Sequence, residues 1–166
     1  MPESTPPASP GVGARRAADI LNAAFPDLTV GRNTVIELAR QGLIAEAGTY
    51  KGHQLYDEAA IAGFTDRAAL ERAFHNGGLR TSDEAAAYLR VRRSDFDHLV
   101  HAQWLEPSGW AYGPYQRRRD SPCVALYRTG DLDVLLGHPG IDWDQVRATP
   151  AGRPSALATL TRKAAR

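Results

Sequence analysis

The chain has 166 residues, of which 43% are hydrophobic and 23% are charged, and its formal net charge is +1. This composition is ordinary for a folded domain and excludes wholesale disorder, while the small net charge excludes attraction of nucleic acid by a global positive field. The single cysteine, Cys123, excludes an intramolecular disulfide. Any contact with an anionic partner must therefore come from local clusters of arginine, which supplies nearly all of the basic residues.

The amino-terminal segment, residues 1–13, is rich in Pro, Ser and Gly and cannot bury an apolar face. It therefore predicts a disordered tail. It also lacks the apolar stretch of a secretion signal or a membrane span. No membrane partner is expected, and the expected location is the cytoplasm.

The next segment, residues 14–64, predicts a first compact unit. Asn33 is the predicted N-cap of an amphipathic helix within it, because a short polar side chain at that place can accept a hydrogen bond from the first turn. A hairpin follows this helix, and its predicted turn formers are Gly48 and Gly52.

Residues 65–80 predict a linker helix that ends at a pair of glycines. Residues 81–137 predict a second compact unit with a long hairpin. Thr81 and Glu84 have the spacing of a capping box that opens a helix. After a short turn, Ser94 is the predicted N-cap of a second helix. The segment therefore predicts two short helices joined by a tight turn.

The end of the chain carries further expectations. Residues 138–166 hold five basic and two acidic residues and predict a basic extension. Cys123 alternates with apolar neighbours, which favours a small buried residue in a hairpin strand. Trp104 and Trp110 are predicted to lie in the core.

A weak internal repeat is the most informative feature of the sequence. Residues 28–44 align with residues 89–105 at an offset of 61, and the apolar positions coincide while the polar positions differ. The dipeptide Leu55-Tyr56 matches Leu126-Tyr127 at an offset of 71, so the second copy holds ten additional residues in its hairpin. This pattern indicates two copies of one fold with different partners.

The order of short helix, turn, capped helix, hairpin and Leu-Tyr before another helix resembles the winged helix-turn-helix of MerR-type regulators and phage excisionases. The resemblance covers about two thirds of the chain, through residues 29–44 with 55–57 and residues 81–102 with 126–131. It implies a mainly α fold with small β wings, in which two tandem winged helix-turn-helix units are joined by the linker helix. The long dimerisation helix and the effector region of MerR-type regulators are not found in the sequence.

In that family the second helix of each pair enters the major groove of DNA, and the wing touches the backbone or the minor groove. The resemblance therefore implies a reading surface of polar residues on each recognition helix. These residues are Arg32, Asn33, Thr34, Arg40 and Gln41 in the first unit, and Arg92, Arg93, Ser94, His98 and His101 in the second. The wing residues are Tyr50, Lys51 and His53 in the first unit, and Tyr115, Gln116, Arg117, Arg118 and Arg119 in the second. The acidic residues on the same helices, Glu37, Asp95 and Asp97, remain open between base contacts and contacts to a protein partner.

The expected function is sequence-specific binding of double-stranded DNA, by a bacterial transcriptional regulator or a maintenance factor of a plasmid or mobile element. Two alternatives remain: an excisionase-like architectural factor that bends DNA, and a protein–protein interaction module that uses the same surfaces. A homodimer or a cooperative oligomer on DNA is compatible with each DNA-binding alternative, and each implies that the cytoplasmic protein associates with the nucleoid. No catalytic motif is present, so an enzyme is not expected. His98 and His101 lack a third ligand nearby in the sequence, so neither a metal nor another cofactor is expected.

Overall fold

The computed structural model describes residues 11–112 and 123–162 of the chain. Within these residues the chain forms eight helices and two antiparallel sheets of three strands each. The expected combination of helices with small β-sheets is therefore confirmed. The chain divides after Gly77 into two compact units, named unit 1 and unit 2 here.

Unit 1 begins with a strand that the sequence did not predict. Its elements are β1 (Gly11–Gly13), α1 (Ala14–Ala24), α2 (Arg32–Arg40), β2 (Glu46–Tyr50), β3 (His53–Asp57), α3 (Glu58–Ala62) and α4 (Arg67–Gly77). The sheet has the strand order β1-β3-β2. Val12 pairs with Tyr56, and both side chains are buried. The expectation of disorder up to residue 13 is therefore wrong for residues 11–13, because this burial holds them in the sheet.

Unit 2 repeats the same order of elements. These are β4 (Leu79–Thr81), α5 (Ser82–Leu89), α6 (Arg93–His101), β5 (Gly109–Tyr112), β6 (Cys123–Arg128), α7 (Thr129–Leu136) and α8 (Trp143–Ala148). The strand order β4-β6-β5 matches that of unit 1. Arg80 on the short first strand pairs with Tyr127, just as Val12 pairs with Tyr56 in unit 1. The two units thus share one order of elements and one strand order.

Each unit has its own hydrophobic core. In unit 1 the side chains of Leu21, Val35 and Leu38 are fully buried with residues of α3 and α4. In unit 2 Phe96 packs edge-to-face on Tyr127, with 5.0 Å between the ring centroids. Residues from the predicted basic extension join this second core, namely Ile141, Trp143, Val146 and Leu157. The segment after residue 137 is therefore largely an integral part of unit 2.

The predicted linker helix is also part of a unit. Leu70 and Ala73 of α4 are fully buried, and α4 packs against α2. The approach is close, because a Cβ atom at Gly77 would lie 2.8 Å from the carbonyl oxygen of Asn33. The predicted linker helix over residues 65–80 is therefore the helix Arg67–Gly77, packed within unit 1, since its apolar face needs a partner.

Two of the predicted N-caps are displaced. Helix α2 begins at Arg32 with Gly31 as its N-cap, and α6 begins at Arg93 with Arg92 as its N-cap. Asn33 and Ser94 therefore lie within the first turns and do not cap. In α6 the reason is Asp95, whose carboxylate accepts the backbone N–H of Arg92 at 3.1 Å and so fixes the start two residues earlier.

The predicted capping box of α5 is confirmed. The Thr81 hydroxyl accepts the backbone N–H of Glu84 at 3.3 Å, and the Glu84 carboxylate accepts the backbone N–H of Thr81 at 2.7 Å. The Glu84 carboxylate accepts from the backbone N–H of Thr81 and also from the Thr81 hydroxyl, at 3.0 Å, and these two bonds, the backbone one first, hold the pKa of Glu84 below its ordinary value. The reciprocal bonds satisfy two N–H groups that the helix itself leaves unpaired.

The hairpin of unit 1 has a two-residue turn formed by Lys51 and Gly52. Both have positive φ angles, 49° and 78°, as the tight turns that match the twist of paired strands require. Gly48 was expected in a turn, but it lies at an irregularity in the β2–β3 pairing, with a φ of 121°. Because glycine has no side chain, Gly48 can adopt the positive φ of this β-bulge.

Candidate nucleic-acid interface

The exposed side of α2 contains fewer residues than the sequence predicted. Val35 and Leu38 are fully buried as expected, but Thr34 and Glu37 are also buried, with 3% and 4% of their surface exposed. The prediction that Thr34 belongs to an outward reading surface is wrong, because this side of α2 is covered within unit 1. The side chains left exposed on the helix are Arg32, Ile36 and Arg40, while Asn33 is half-buried and Gln41 is exposed just after the last turn.

The buried Glu37 organises the polar groups at the end of α2. Its carboxylate accepts the side-chain N–H of Gln41 at 3.0 Å and lies 3.8 Å from the guanidinium of Arg40. The Arg40 side chain remains 50% exposed. The buried Glu37 therefore positions Gln41 and Arg40, which are two of the predicted site residues. Glu37 itself is not available to a base or to a protein partner.

Arg32 lies at the beginning of the same exposed row, and no ion-pair or hydrogen-bond partner is found for it among the described residues. A guanidinium without an internal partner keeps its full charge and all five donors for an external anion or base. Arg32 and Arg40 thus supply the positive charge of this row, which we name the α2 row: Arg32, Ile36 and Arg40.

The corresponding helix of unit 2 is electrically different. Arg93 is 44% exposed, but its guanidinium lies 3.0 Å from the carboxylate of Asp83 and also pairs with Asp97. Ser94, Asp97 and His101 are exposed. Because two carboxylates neutralise its one arginine, the exposed side of α6 offers less attraction to phosphate than the α2 row.

Arg92 has a structural role that the sequence did not indicate. Its guanidinium donates to both carboxylate oxygens of Asp95, at 2.9 and 2.8 Å, and to the carbonyl oxygens of Pro150 and Arg153, at 3.1 and 3.2 Å. The assignment of Arg92 to a DNA-reading surface is corrected accordingly, because its donors tie the carboxy-terminal segment to α6.

Asp95 is the buried centre of this network, with 1% of its surface exposed. Burial by itself raises the pKa of a carboxyl, but here the hydrogen bonds from the Arg92 side chain, Ser155 and the Arg92 backbone outweigh it and lower the pKa of Asp95. The carboxylate is therefore ionised and internally paired. The question of whether Asp95 contacts bases or a partner is resolved by its burial: it contacts neither.

The carboxy-terminal segment also borders the predicted histidines. His98 is half-buried and His101 is exposed, and both line a shallow cavity together with Leu157 and Leu160. Trp104 is half-buried, and its indole N–H donates to the carbonyl oxygen of Thr161 at 2.8 Å. One edge of α6 is thus partly covered by the end of the described chain.

The hairpin tip of unit 1 carries the predicted wing residues in exposed positions. Tyr50 is 61% exposed, and Lys51 and His53 are exposed as well. The ammonium of Lys51 lies 5.3 Å from the centroid of the Tyr50 ring, a distance at which a cation interacts with an aromatic face. The tip therefore presents one cation and one aromatic ring to solvent.

The second hairpin is described only along its strands. The predicted wing residues Tyr115, Gln116, Arg117, Arg118 and Arg119 lie outside the described residues. Two expectations about the flanking strands are wrong: Cys123 is exposed and Trp110 is 63% exposed. Trp110 lies on the edge strand β5, and Cys123 lies at the start of β6, before the residues of β6 that pair with β4. A small antiparallel sheet can leave one face open to solvent, so the position in a strand did not bury either side chain.

Ile36 is the potential site residue that the sequence interpretation missed. It is 39% exposed in the middle of the α2 row. Its spacing of four residues from both Arg32 and Arg40 was the available signal, since residues four apart share one face of a helix. The reading surface inferred from the sequence consists of polar residues, so it leaves Ile36 out.

Other kinds of site find no support in the described part of the chain. Within residues 11–112 and 123–162, no three His, Cys, Asp or Glu side chains are grouped so that they could hold a metal ion. None of the helices described is both long enough and apolar enough to cross a membrane. Compared with protein-family models, curated proteins and solved structures, the chain matches none of them.

Proposed function

We propose that the chain is a sequence-specific, double-stranded-DNA-binding protein made of two tandem winged helix-turn-helix units. In this proposal α2 and α6 are the recognition helices, and the β2–β3 and β5–β6 hairpins are the wings. The protein acts in bacterial transcriptional control or in maintenance of a plasmid or mobile element. The observation that carries the proposal is the α2 row, which exposes Arg32 and Arg40 on a helix followed by a hairpin with Lys51 at its tip.

The repeated topology supports the proposal. Both units place two helices before a hairpin, and both pair a short first strand with the second strand of that hairpin. This is the arrangement in which the second helix of the pair projects toward a duplex and the hairpin reaches the adjacent backbone. A single chain with two different recognition helices fits a site whose two halves differ in sequence.

The charges of the two recognition helices indicate that unit 1 makes the larger contribution to DNA affinity. Arg32 has no partner among the described residues, whereas Arg93 is paired with Asp83 and Asp97. Arginine that is not neutralised internally can form bidentate contacts with guanine or with phosphate. Specific contacts of unit 1 therefore contribute more to affinity than those of α6.

The test begins with selection of the preferred duplex from a randomised library, followed by fluorescence anisotropy with the full chain. Arg32→Ala is expected to weaken binding roughly 5- to 150-fold, which corresponds to the ~1–3 kcal/mol of one bidentate base contact. Arg93→Ala is expected to have a smaller effect because its charge is already neutralised. Arg72→Ala, an exposed arginine of α4, is the matched control and should leave binding unchanged.

Two results contradict the proposal. One is a library selection that enriches no sequence, with affinity indifferent to base composition. The other is an affinity that does not fall as salt is raised, because release of counterions from phosphates makes DNA binding strongly dependent on salt.

A protein-binding module is the second candidate, and it is favoured by two observations. The two arginines at the start of α6 are neutralised internally, the N-cap Arg92 by Asp95 and Arg93 by Asp97. Ile36 and Leu43 expose 39% and 40% of their surface in unit 1. A protein partner bound through such groups shows weak dependence on salt, so the titration that tests DNA binding also separates the two functions.

A further inference from the structure

The α2 row restricts which side chains can reach a base along this helix. Arg32, Ile36 and Arg40 follow one another at intervals of four residues, and the neighbouring Thr34 and Glu37 are buried. A helix that enters the major groove with its exposed side therefore presents an arginine near each end and an isoleucine at its centre. At the centre of the α2 row, the side chain that can contact a base is therefore Ile36, which is 39% exposed.

The chemistry of isoleucine limits what it can read. Its side chain has neither a donor nor an acceptor, so against most base edges it would remove polar atoms from water without giving a hydrogen bond. The C5-methyl group of thymine is the apolar feature of the major groove. Contact between two apolar groups removes both from water and is favourable.

We propose that Ile36 is a specificity-determining residue that contacts the C5-methyl group of a thymine. This inference rests on the proposed function and names what the centre of α2 recognises. With a rise of about 1.5 Å per residue, Ile36 lies about 6 Å along the axis from each arginine of the row. At about 3.4 Å per base pair, the thymine lies about two base pairs from the positions that Arg32 and Arg40 contact.

The flanking arginines favour a nucleic acid as the occupant of this surface. Arg32 has no partner among the described residues, and Arg40 is held by Glu37 in an orientation that leaves half of its side chain exposed. An apolar protein surface would have to bury these two cations at a considerable cost. A DNA groove instead surrounds a central methyl group with guanine acceptors and phosphates, which are the partners that arginine requires.

The inference is tested by replacing each thymine of the preferred duplex, one at a time, with deoxyuridine, which differs by loss of the C5-methyl group. Binding of the full chain is measured by fluorescence anisotropy. Replacement of the thymine at the predicted place is expected to weaken binding by about fourfold, the factor that corresponds to burial of one such apolar group. Ile36→Ala is expected to bind the thymine and uracil duplexes equally.

Val134→Ala removes a side chain that is 74% exposed on α7, and this control variant should retain the preference for thymine. Ile36 is partly exposed, so thermal melting is expected to show that Ile36→Ala remains folded. If the duplex binds but no thymine is sensitive, or if Ile36→Ala keeps the sensitivity, the inference is overturned while the proposed function stands. If no duplex binds, both are overturned.

Discussion

The residues that decide what each helix can present to a partner are the buried charged ones. Glu37 in α2 and Asp95 in α6 are both buried, and each pairs with a nearby arginine: Glu37 with Arg40 of the same helix, and Asp95 with the N-cap Arg92. In α2 the paired Arg40 remains half-exposed and available. At the start of α6 the guanidinium of Arg92 is not available to a partner, because it also donates to two backbone carbonyls of the carboxy-terminal segment. The exposed sides of two related helices thus carry different charge.

The Asp95 network makes a prediction about stability. We expect Asp95→Asn to lower the free energy of unfolding by about 1–3 kcal/mol at pH 7, because the variant leaves the partly buried Arg92 guanidinium without its carboxylate. The pKa of Asp95 is lowered in the folded protein, so its contribution is present above the ordinary aspartate pKa of about 3.9 and is lost as the pH falls below it. Urea unfolding from pH 7 downward measures this difference.

Asp97→Asn is the matched control for this experiment. Asp97 belongs to the same helix and also pairs with an arginine, but its side chain is 61% exposed. Surface pairs of this kind contribute about 0–1 kcal/mol, so this variant should unfold close to the unchanged protein. A loss in Asp95→Asn that persists undiminished down to about pH 2 would show that the ionised carboxylate is not its source.

At the level of the elements, α2 and α6 end in the same way. Gly42 and Gln103, equivalent in the repeat, both have left-handed backbone, with φ angles of 71° and 58°. In each case the next residue donates its N–H to the carbonyl of the residue five positions earlier, Leu43 to Leu38 and Trp104 to Leu99, at 2.9 and 3.0 Å. This is the Schellman arrangement, which glycine favours. At this helix end α6 therefore carries backbone strain at Gln103 that α2 avoids with Gly42.

This difference predicts opposite effects of two substitutions. We expect Gly42→Ala to destabilise the protein by about 1 kcal/mol, because a Cβ atom is unfavourable in left-handed backbone. Gln103→Gly is expected to raise the midpoint of unfolding, although it also removes the hydrogen bond between the Gln103 side chain and Arg162. Thermal unfolding of both variants checks the pair. The same direction of change in both would contradict the shared helix end.

Local sequence patterns predicted much of the secondary structure. The capping box of Thr81 and Glu84, the buried faces around Leu38 and Phe96, and the hairpin of unit 1 all follow from residues close together in the chain. Their interactions span a few residues, so spacing alone reveals them.

The parts that were missed depend on contacts between distant residues. The strand β1 exists through its pairing with β3, more than forty positions away in the chain. Arg92 was assigned to the candidate site because nothing local shows its bonds to Pro150 and Arg153. Thr34 is buried within the packed unit, which helix periodicity did not reveal. Such long-range packing overrides local propensity.

The whole molecule consists of two units of one topology, and its net charge is close to zero. Residues 11–77 contain seven basic and eight acidic residues, a net charge of −1. General electrostatic attraction therefore cannot bring unit 1 to a duplex, and the proposed binding depends on the placement of a few cations. The α2 row and the hairpin tip with Lys51 provide that placement in the proposed function.

The measurement that tests the proposed DNA-binding surface most directly is an NMR titration of the full chain with its preferred duplex, followed through the backbone amide resonances. We expect the largest shifts in residues 32–41 and at the hairpin turn of Lys51 and Gly52, with smaller shifts in α6. We also expect all of these shifts to diminish as salt is raised. Shifts confined to other elements, or no salt-sensitive shifts in α2 at all, would contradict DNA recognition by this helix.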